Sequence, residues 1–166
     1  MQEYVTDAIV LKKDTLGDLD GRYTLFTKRF GKIVAKAKSS RKITSKLASH
    51  LEPGTAVKVR FIETKGTQLI DALKAGRVRL SLVELNFLSQ LVPDAEPEPG
   101  LWELLVHGAF AWAPALAILG WDPEGAECVT CGEKHPRYFY ITHQEFYCRT
   151  HASKVRRDAV ILIDGL

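Results

Sequence analysis

Apolar and polar residues alternate in several segments of the first 73 residues of the chain. This period of two is typical of β-strands that bury one face, because successive side chains point to opposite sides of a strand. Alternation predicts strands at residues 22–28, 32–38 and 55–64. The β-branched and apolar residues of 4–13 predict a strand before them, and the turn at Lys65 and Gly66 predicts a fifth at 67–73. Between the second and third strands, Gly31 can supply the positive φ that a tight hairpin turn requires.

A short helical turn is expected between the third and fourth strands. Leu47 and Leu51 stand four residues apart in an otherwise polar stretch, so one turn of helix would anchor both to the core. Five strands with a helical insert at this point have the layout of an OB-fold, which is a small Greek-key barrel. An SH3-like barrel is the nearest alternative.

Beyond residue 76 the apolar residues recur every three to four positions, which is typical of helices. Ser81 and Glu84 have the spacing of a capping box at the start of the first helix. The acidic, Pro-rich residues 94–100 form a linker, and an apolar helix at 101–120 is kinked or split at Pro114. The predicted buried stripe of the first helix consists of Leu80, Val83, Phe87 and Leu91.

These patterns define an α+β fold, with an OB-fold domain at residues 1–76 and a small helical domain at 77–166. Hydrophobic content of 46% and charged content of 26% are those of a globular protein, which excludes a disordered or fibrous chain. No secretory signal is visible, and the longest uncharged run, residues 104–121, is interrupted by His107 and Pro114. A cytoplasmic location is therefore expected.

The charges are segregated along the chain, although the net charge is only +3. Residues 1–66 carry +7, residues 67–127 carry −6 and residues 128–166 carry +2. The densest basic stretch is residues 24–53, where eight Lys and Arg residues face one acid, Glu52. Such a density indicates a polyanionic partner, and a merely solvated face is the alternative.

Within this stretch, the alternation places Lys32, Lys36 and Lys38 on one face of the third strand, together with Val34. A basic loop follows at residues 39–49. Three aromatic residues close by are candidates for base stacking, with a place in the core as the alternative for each: Tyr23, Phe26 and Phe30. The predicted polyanion-binding residues are Arg22, Lys28, Arg29, Lys32, Lys36, Lys38, Arg41, Lys42 and Lys46.

The sharpest motif is a pair of two-residue-spaced metal ligands, Cys128-Val-Thr-Cys131 and Cys148-Arg-Thr-His151. Four S and N ligands satisfy tetrahedral zinc, and because they leave no position for water, the predicted site is structural and not catalytic. His135 and His143 are alternatives to His151 as the fourth ligand, and three buried, inert cysteines are the alternative to a metal site. One zinc ion is therefore expected in a segment at 126–152, with two short strands, 138–142 and 145–147, between the ligand pairs.

The chain resembles the bacterial recombination mediator RecO family, as a shortened member. The resemblance lies in DAIVLKK and YTLFTKRFGKIVAKAKSSRKITSKLASHLEP near the N-terminus, and in LGWDP followed by C-x2-C-G and a second ligand pair. It implies binding of single- and double-stranded DNA by the basic residues above, strand annealing, and work with RecR and single-stranded-DNA-binding protein to load RecA. His151 stands where zinc-bearing relatives usually have Cys.

Two other functions have some support in the residues. His50-Leu51-Glu52 with Cys128-x2-Cys131 is superficially similar to the zinc deaminase motif, but Glu127 replaces its Pro and a closed ligand set leaves no site for activated water. We therefore expect no enzymatic activity. The remaining alternative is a zinc-containing protein-interaction module without DNA activity.

Overall fold

The computed structural model describes residues 2–40, 47–108 and 110–163. By spatial contacts the chain forms two compact units, Met1–Pro99 and Gly100–Leu166. The helix that follows the last strand of the first unit therefore belongs with that unit. The domain boundary between residues 76 and 77, which rests on the change in periodicity, stays a prediction.

Five strands form a closed barrel in the first unit. In chain order they are β1 (Gln2–Leu16), β2 (Asp20–Thr27), β3 (Gly31–Ala37), β4 (Thr55–Glu63) and β5 (Thr67–Arg77). Around the barrel the order is β1-β2-β3-β5-β4, with β4 pairing back to β1 and β3 running parallel to the start of β5. This is the OB-fold, and it excludes the SH3-like alternative.

The barrel is filled by the inward-facing residues of the predicted alternation. Tyr23 and Leu25 of β2, with Phe61 of β4, are among its fully or almost fully buried side chains. A 3-10 turn at Ala48–His50 lies between β3 and β4, and its neighbours Leu51 and Leu47 contact the barrel core. The predicted helical turn and both of its anchors are confirmed.

A helix, α1 (Leu82–Leu91), packs on the outside of β1. The capping box is confirmed, because Ser81 Oγ accepts from the Glu84 N–H at 3.2 Å and Glu84 accepts from the Ser81 N–H at 2.7 Å. The predicted stripe is wrong at Val83, which is 59% exposed, and at Leu80, which lies before the helix. The buried residues of α1 are Leu85, Phe87, Leu88 and Leu91.

The second unit begins with two short helices, α2 (Pro99–Val106) and α3 (Trp112–Ile118). The predicted helix at 101–120 is split, but between Val106 and Trp112 and not at Pro114. Pro114 is the third residue of α3, within the first turn, where the missing N–H costs little. Within the described ranges 2–40, 47–108 and 110–163, no helix has the length and apolar character needed to cross a bilayer.

A small sheet and one helical turn complete this unit. Strands β6 (Tyr138–Tyr140) and β7 (Glu145–Tyr147) confirm the two short strands predicted between the ligand pairs. A third strand, β8 (Val160–Leu162), pairs with the other edge of β6, so the order is β7-β6-β8. Helix α4 (Arg149–Ala152) follows β7 and contacts both β6 and β7.

Candidate nucleic-acid interface and metal centre

Four exposed cations lie together on the barrel. Arg22 of β2 pairs in register with Lys36 of β3, and Lys36 lies beside Gln68 of β5 because those two strands run parallel at that point. This pairing also brings Lys65, in the turn between β4 and β5, next to β3. We call these residues the basic face: Arg22, Lys36, Lys38 and Lys65.

A cleft of about 180 Å³ lies on the basic face and is lined by Lys36, Lys38 and residues 64–68. The latter contribute the hydroxyls of Thr64 and Thr67 and the amide of Gln68, which are phosphate- and sugar-binding groups. The acid in its lining is Asp20, whose Oδ1 accepts from the Ser39 N–H at 2.7 Å. That contact fixes the chain where it leaves β3.

The four cations of the basic face have no ion-pair partner among the residues that the structure describes. Their charge is therefore available to a ligand. Three other predicted polyanion-binding residues lie outside the described part of the chain: Arg41, Lys42 and Lys46.

Lys32 does not join the basic face, although it shares the alternation of β3. Its side chain is only 12% exposed, its Nζ lies 3.2 Å from Asp94 Oδ1, and it donates to the Ser89 carbonyl at 2.9 Å. Asp94 also forms a parallel β-bridge with Lys32. The linker after α1 thus returns to β3 and forms an ion pair with this lysine.

Lys28 and Arg29 lie at the opposite end of β2 from Arg22, roughly 20 Å away at about 3.3 Å per residue. With Lys58 of β4 they line a second depression of about 180 Å³. Arg29 Nη1 donates to the Val5 carbonyl at 3.3 Å, and its guanidinium lies 5.2 Å from the centre of the Phe30 ring. Lys58 was not among the predicted polyanion-binding residues, although it stands between the buried Val57 and Val59 and therefore lies on the outer face of β4.

Neither Tyr23 nor Phe26 presents its ring for base stacking, since both side chains are fully buried. Phe30 is half-buried, and its ring packs edge-on against Tyr4 and Phe61 at 5.2 and 5.5 Å between centroids. For Tyr23 and Phe26 the alternative, a buried structural residue, is the correct one.

The four predicted metal ligands converge in the second unit. The ligand atoms of Cys128, Cys131, Cys148 and His151 all lie within 4.8 Å of one another. A tight turn carries the first pair, with Gly132 at φ +72° donating its N–H to the Cys128 carbonyl at 2.8 Å. The second pair is brought together by α4, which begins directly after Cys148.

The distances fit a tetrahedral ion. Cys131 Sγ and Cys148 Sγ are 3.9 Å apart, and His151 Nδ1 lies 3.6 Å from Cys128 Sγ and 3.2 Å from Cys148 Sγ. Zinc bonds of about 2.3 Å to S and 2.0–2.1 Å to N, at tetrahedral angles, give about 3.8 Å for S···S and 3.6 Å for S···N. The four residues therefore could hold a metal ion.

Neither alternative histidine lies in this cluster. His143 packs its ring against Tyr140 at 5.2 Å, and its Nδ1 lies 3.8 Å from Glu145. His135 adopts a positive φ of 52° in the turn before β6. The structure thus places His151, of the three histidines, with the sulfurs.

The thiols differ in acidity. Burial acts to raise the pKa of Cys128, but backbone hydrogen bonds from Cys148, Cys131 and Thr130 outweigh it and lower that pKa to about 6. A backbone hydrogen bond from Glu133 acts to lower the pKa of Cys131, yet desolvation and the neighbouring sulfurs raise it above its ordinary value. Cys128 therefore forms a thiolate more readily than an ordinary cysteine, and the thiolate is the form that binds metal.

A barrel of this strand order, followed by a Cys3His cluster on a small ribbon, defines the chain as an OB-fold protein with an appended set of metal-type ligands. Residues 1–79 match the family model described as Recombination protein O N terminal.

Three relatives are similar over most of the chain. DNA repair protein RecO of Myxococcus xanthus (strain DK1622) is 33% identical over 199 residues, covering 100% of this chain and 81% of that protein. DNA repair protein RecO of Thermodesulfovibrio yellowstonii is 30% identical over 176 residues, covering 90% and 70%. DNA repair protein RecO of Bifidobacterium longum (strain DJO10A) is 25% identical over 193 residues, covering 99% and 81%. The chain therefore belongs to the RecO family.

Proposed function

We propose that this protein acts in DNA repair and recombination by binding single- and double-stranded DNA on the basic face of its barrel. The observation that carries the proposal is the position of Lys36, Lys38 and Lys65. Lys36 lies on β3, Lys38 directly follows that strand, and Lys65 lies in the β4–β5 turn. OB-folds bind oligonucleotides on the face of strands 2 and 3 and with this same turn.

The chemistry of the basic face favours phosphates over bases. Its cations lack acidic partners among the described residues, so DNA would replace only water and counterions there. Ammonium and guanidinium groups that contact phosphate fix the strand without reading its sequence. Binding is therefore expected to be independent of base sequence and steeply dependent on salt.

We infer that the metal held by the Cys3His cluster is one zinc ion with a structural role. Three sulfurs and an imidazole are the ligands zinc takes in structural sites, and four protein ligands leave no position for a reacting water. The role proposed for zinc is to fix the turn at residues 128–131 to α4. The proposed function accordingly includes no catalysis.

Membership of the RecO family supports a wider role: annealing of complementary strands, with RecR and single-stranded-DNA-binding protein as partners in loading RecA. The matches to the Thermodesulfovibrio yellowstonii and Myxococcus xanthus relatives, both named as DNA repair proteins, cover 90% and 100% of this chain.

A strand-annealing assay tests this function. Two complementary oligonucleotides carrying a donor and an acceptor fluorophore, bare or coated with single-stranded-DNA-binding protein, are mixed with the purified protein. We expect faster annealing than without protein, and slower annealing by the Lys36→Ala/Lys38→Ala variant than by Lys13→Ala. Absence of both oligonucleotide binding and annealing at low salt would refute the DNA function and favour the protein-interaction module.

A further inference from the structure

A pocket in the second unit lies outside the metal cluster and the basic face. Its volume is about 300 Å³, and it is lined by residues of α4, which contacts β6 and β7, and by residues of β6 and β8. Tyr138 of β6 and Leu162 of β8 pair in register along its floor. Its lining includes Tyr138, Arg149, Ala152, Arg157, Val160 and Leu162.

The floor is apolar and accessible. Leu162 is 47% exposed, so its aliphatic side chain is accessible to a ligand. Tyr138 is half-buried and has no ring partner among the described residues, whereas Tyr140 and Tyr147 of the same sheet pack ring against ring at 6.2 Å. The pocket thus presents an aromatic ring beside an aliphatic side chain.

The rim is cationic. Arg149 and Arg157 are both exposed and have no acidic partner within the described part of the chain. The neighbouring Arg156 differs, because Asp158 accepts from its Nε at 3.1 Å and from its Nη2 at 2.6 Å. Two uncompensated guanidiniums therefore border the apolar floor, while a third is already neutralised.

An apolar, aromatic floor between two guanidiniums matches the chemistry of an unstacked nucleotide. The base offers a flat apolar face for Tyr138 and Leu162, and the phosphate offers the anion for which arginine is well suited. An acidic peptide would satisfy the arginines but needs no ring surface.

We propose that this pocket binds one nucleotide of single-stranded DNA, with its base against Tyr138 and its phosphate on Arg149 and Arg157. The proposal rests on the DNA-binding function proposed above and adds a second contact on a different unit. The proposal also connects the pocket to the metal cluster, because Arg149 lies between the ligands Cys148 and His151. Zinc would thereby hold one wall of the pocket in place.

Photocrosslinking tests the proposal on the full, zinc-loaded chain. A single-stranded oligonucleotide carrying 5-iododeoxyuridine is irradiated with the protein, and mass spectrometry locates the adducts. We expect adducts on peptides of the barrel and also on the peptide that contains Tyr138. Adducts on the barrel alone would overturn the pocket and leave the proposed function intact, whereas no adduct anywhere would count against the proposed function itself.

Adjacent arginines provide a matched pair of variants. Arg157→Ala is expected to lower the yield at the Tyr138 peptide at least about fivefold, because it removes one of the two charge-assisted contacts to the phosphate. Arg156→Ala, which removes the same charge from the next residue, is expected to leave it within about twofold, since Asp158 already neutralises that arginine. Zinc content of one ion per chain in both variants verifies that the cluster is intact.

Equal effects of Arg156→Ala and Arg157→Ala would overturn the proposal by showing a general charge effect. So would an acidic peptide that binds the protein in an Arg157-dependent manner while the oligonucleotide leaves Tyr138 unlabelled. That result would make the pocket a peptide site.

Discussion

Lys32 and Asp94 are joined by an ion pair of 3.2 Å, which ties the linker after α1 to the first residues of β3. Lys36 stands four residues further along the same strand and has no such partner among the described residues. Two lysines that the sequence pattern makes equivalent therefore have different environments. The first lysine is held by contacts within the fold, whereas the second is the one we propose to bind a ligand.

Lys32→Ala is expected to lower the free energy of unfolding by about 1–2 kcal/mol, because it removes a mostly buried charge with two polar contacts. Its effect on oligonucleotide binding should be small. Lys36→Ala should do the reverse, weakening binding with little change in stability. Urea unfolding and fluorescence anisotropy on both variants measure the two effects, and a stable but non-binding Lys32→Ala protein would contradict the assignment.

Gly31 is a residue at which the barrel tolerates no side chain. It has φ +66°, and a Cβ there would lie 2.2 Å from the Glu96 carbonyl oxygen, on the same linker that carries Asp94. Gly31→Ala is expected to cost about 3 kcal/mol or more, from the left-handed backbone and the clash together.

Gly17→Ala is the matched control for Gly31→Ala. Gly17 has φ +63°, but a Cβ added there would meet nothing within 4 Å, so only the backbone cost of about 1–2 kcal/mol applies. Urea denaturation compares the two. Equal losses of stability would show that a side chain at position 31 does not clash with the linker.

Cys148→Ser is expected to abolish metal binding and to unfold the segment around residues 126–152, because the binding energy of such a site is also folding energy. The barrel, a separate compact unit, should retain its structure. Zinc analysis and limited proteolysis give the two readouts. The wild-type protein should hold about one zinc per chain, and a fully folded, metal-free second unit would refute the site.

Substitutions of the three histidines test which of them is the fourth metal ligand. His151→Cys should keep the metal, since four thiolates also bind zinc, whereas His151→Ala should lose most of its affinity. His135→Ala and His143→Ala should leave zinc content unchanged, as both residues lie outside the cluster. Retention of zinc by His151→Ala together with loss in His135→Ala or His143→Ala would contradict the assignment.

Local patterns predicted those parts of the structure that depend on neighbours in sequence. The strands of the barrel followed from alternation, and the ligand set followed from two spacings of C-x2-C and C-x2-H. Both signals are short-range: a strand repeats every two residues, and a tight turn brings residues i and i+3 together.

The features that sequence patterns did not predict depend on residues far apart in the chain. Lys32 is taken up by Asp94, 62 residues later, and Phe26 is buried on the outside of the barrel, where alternation alone had exposed it. Strand β8 was missed because three residues are too few for a periodic signal. These features depend on tertiary contacts that override local preference.

The central claim is that Lys36, Lys38 and Lys65 bind phosphate, and its most direct measurement is the salt dependence of single-stranded DNA binding. The triple Ala variant is compared with a control that loses the same charge at three other lysines: Lys13, paired with Glu52; Lys134, paired with Glu127; and Lys74. Fluorescence anisotropy at several salt concentrations gives log K against log salt for each protein.

Loss of three phosphate contacts should reduce that slope by about 2, at about 0.7 per phosphate on a single strand, and the control should keep the wild-type slope. Equal slopes for the wild type and the basic-face variant, or an equal reduction in both variants, would contradict the claim.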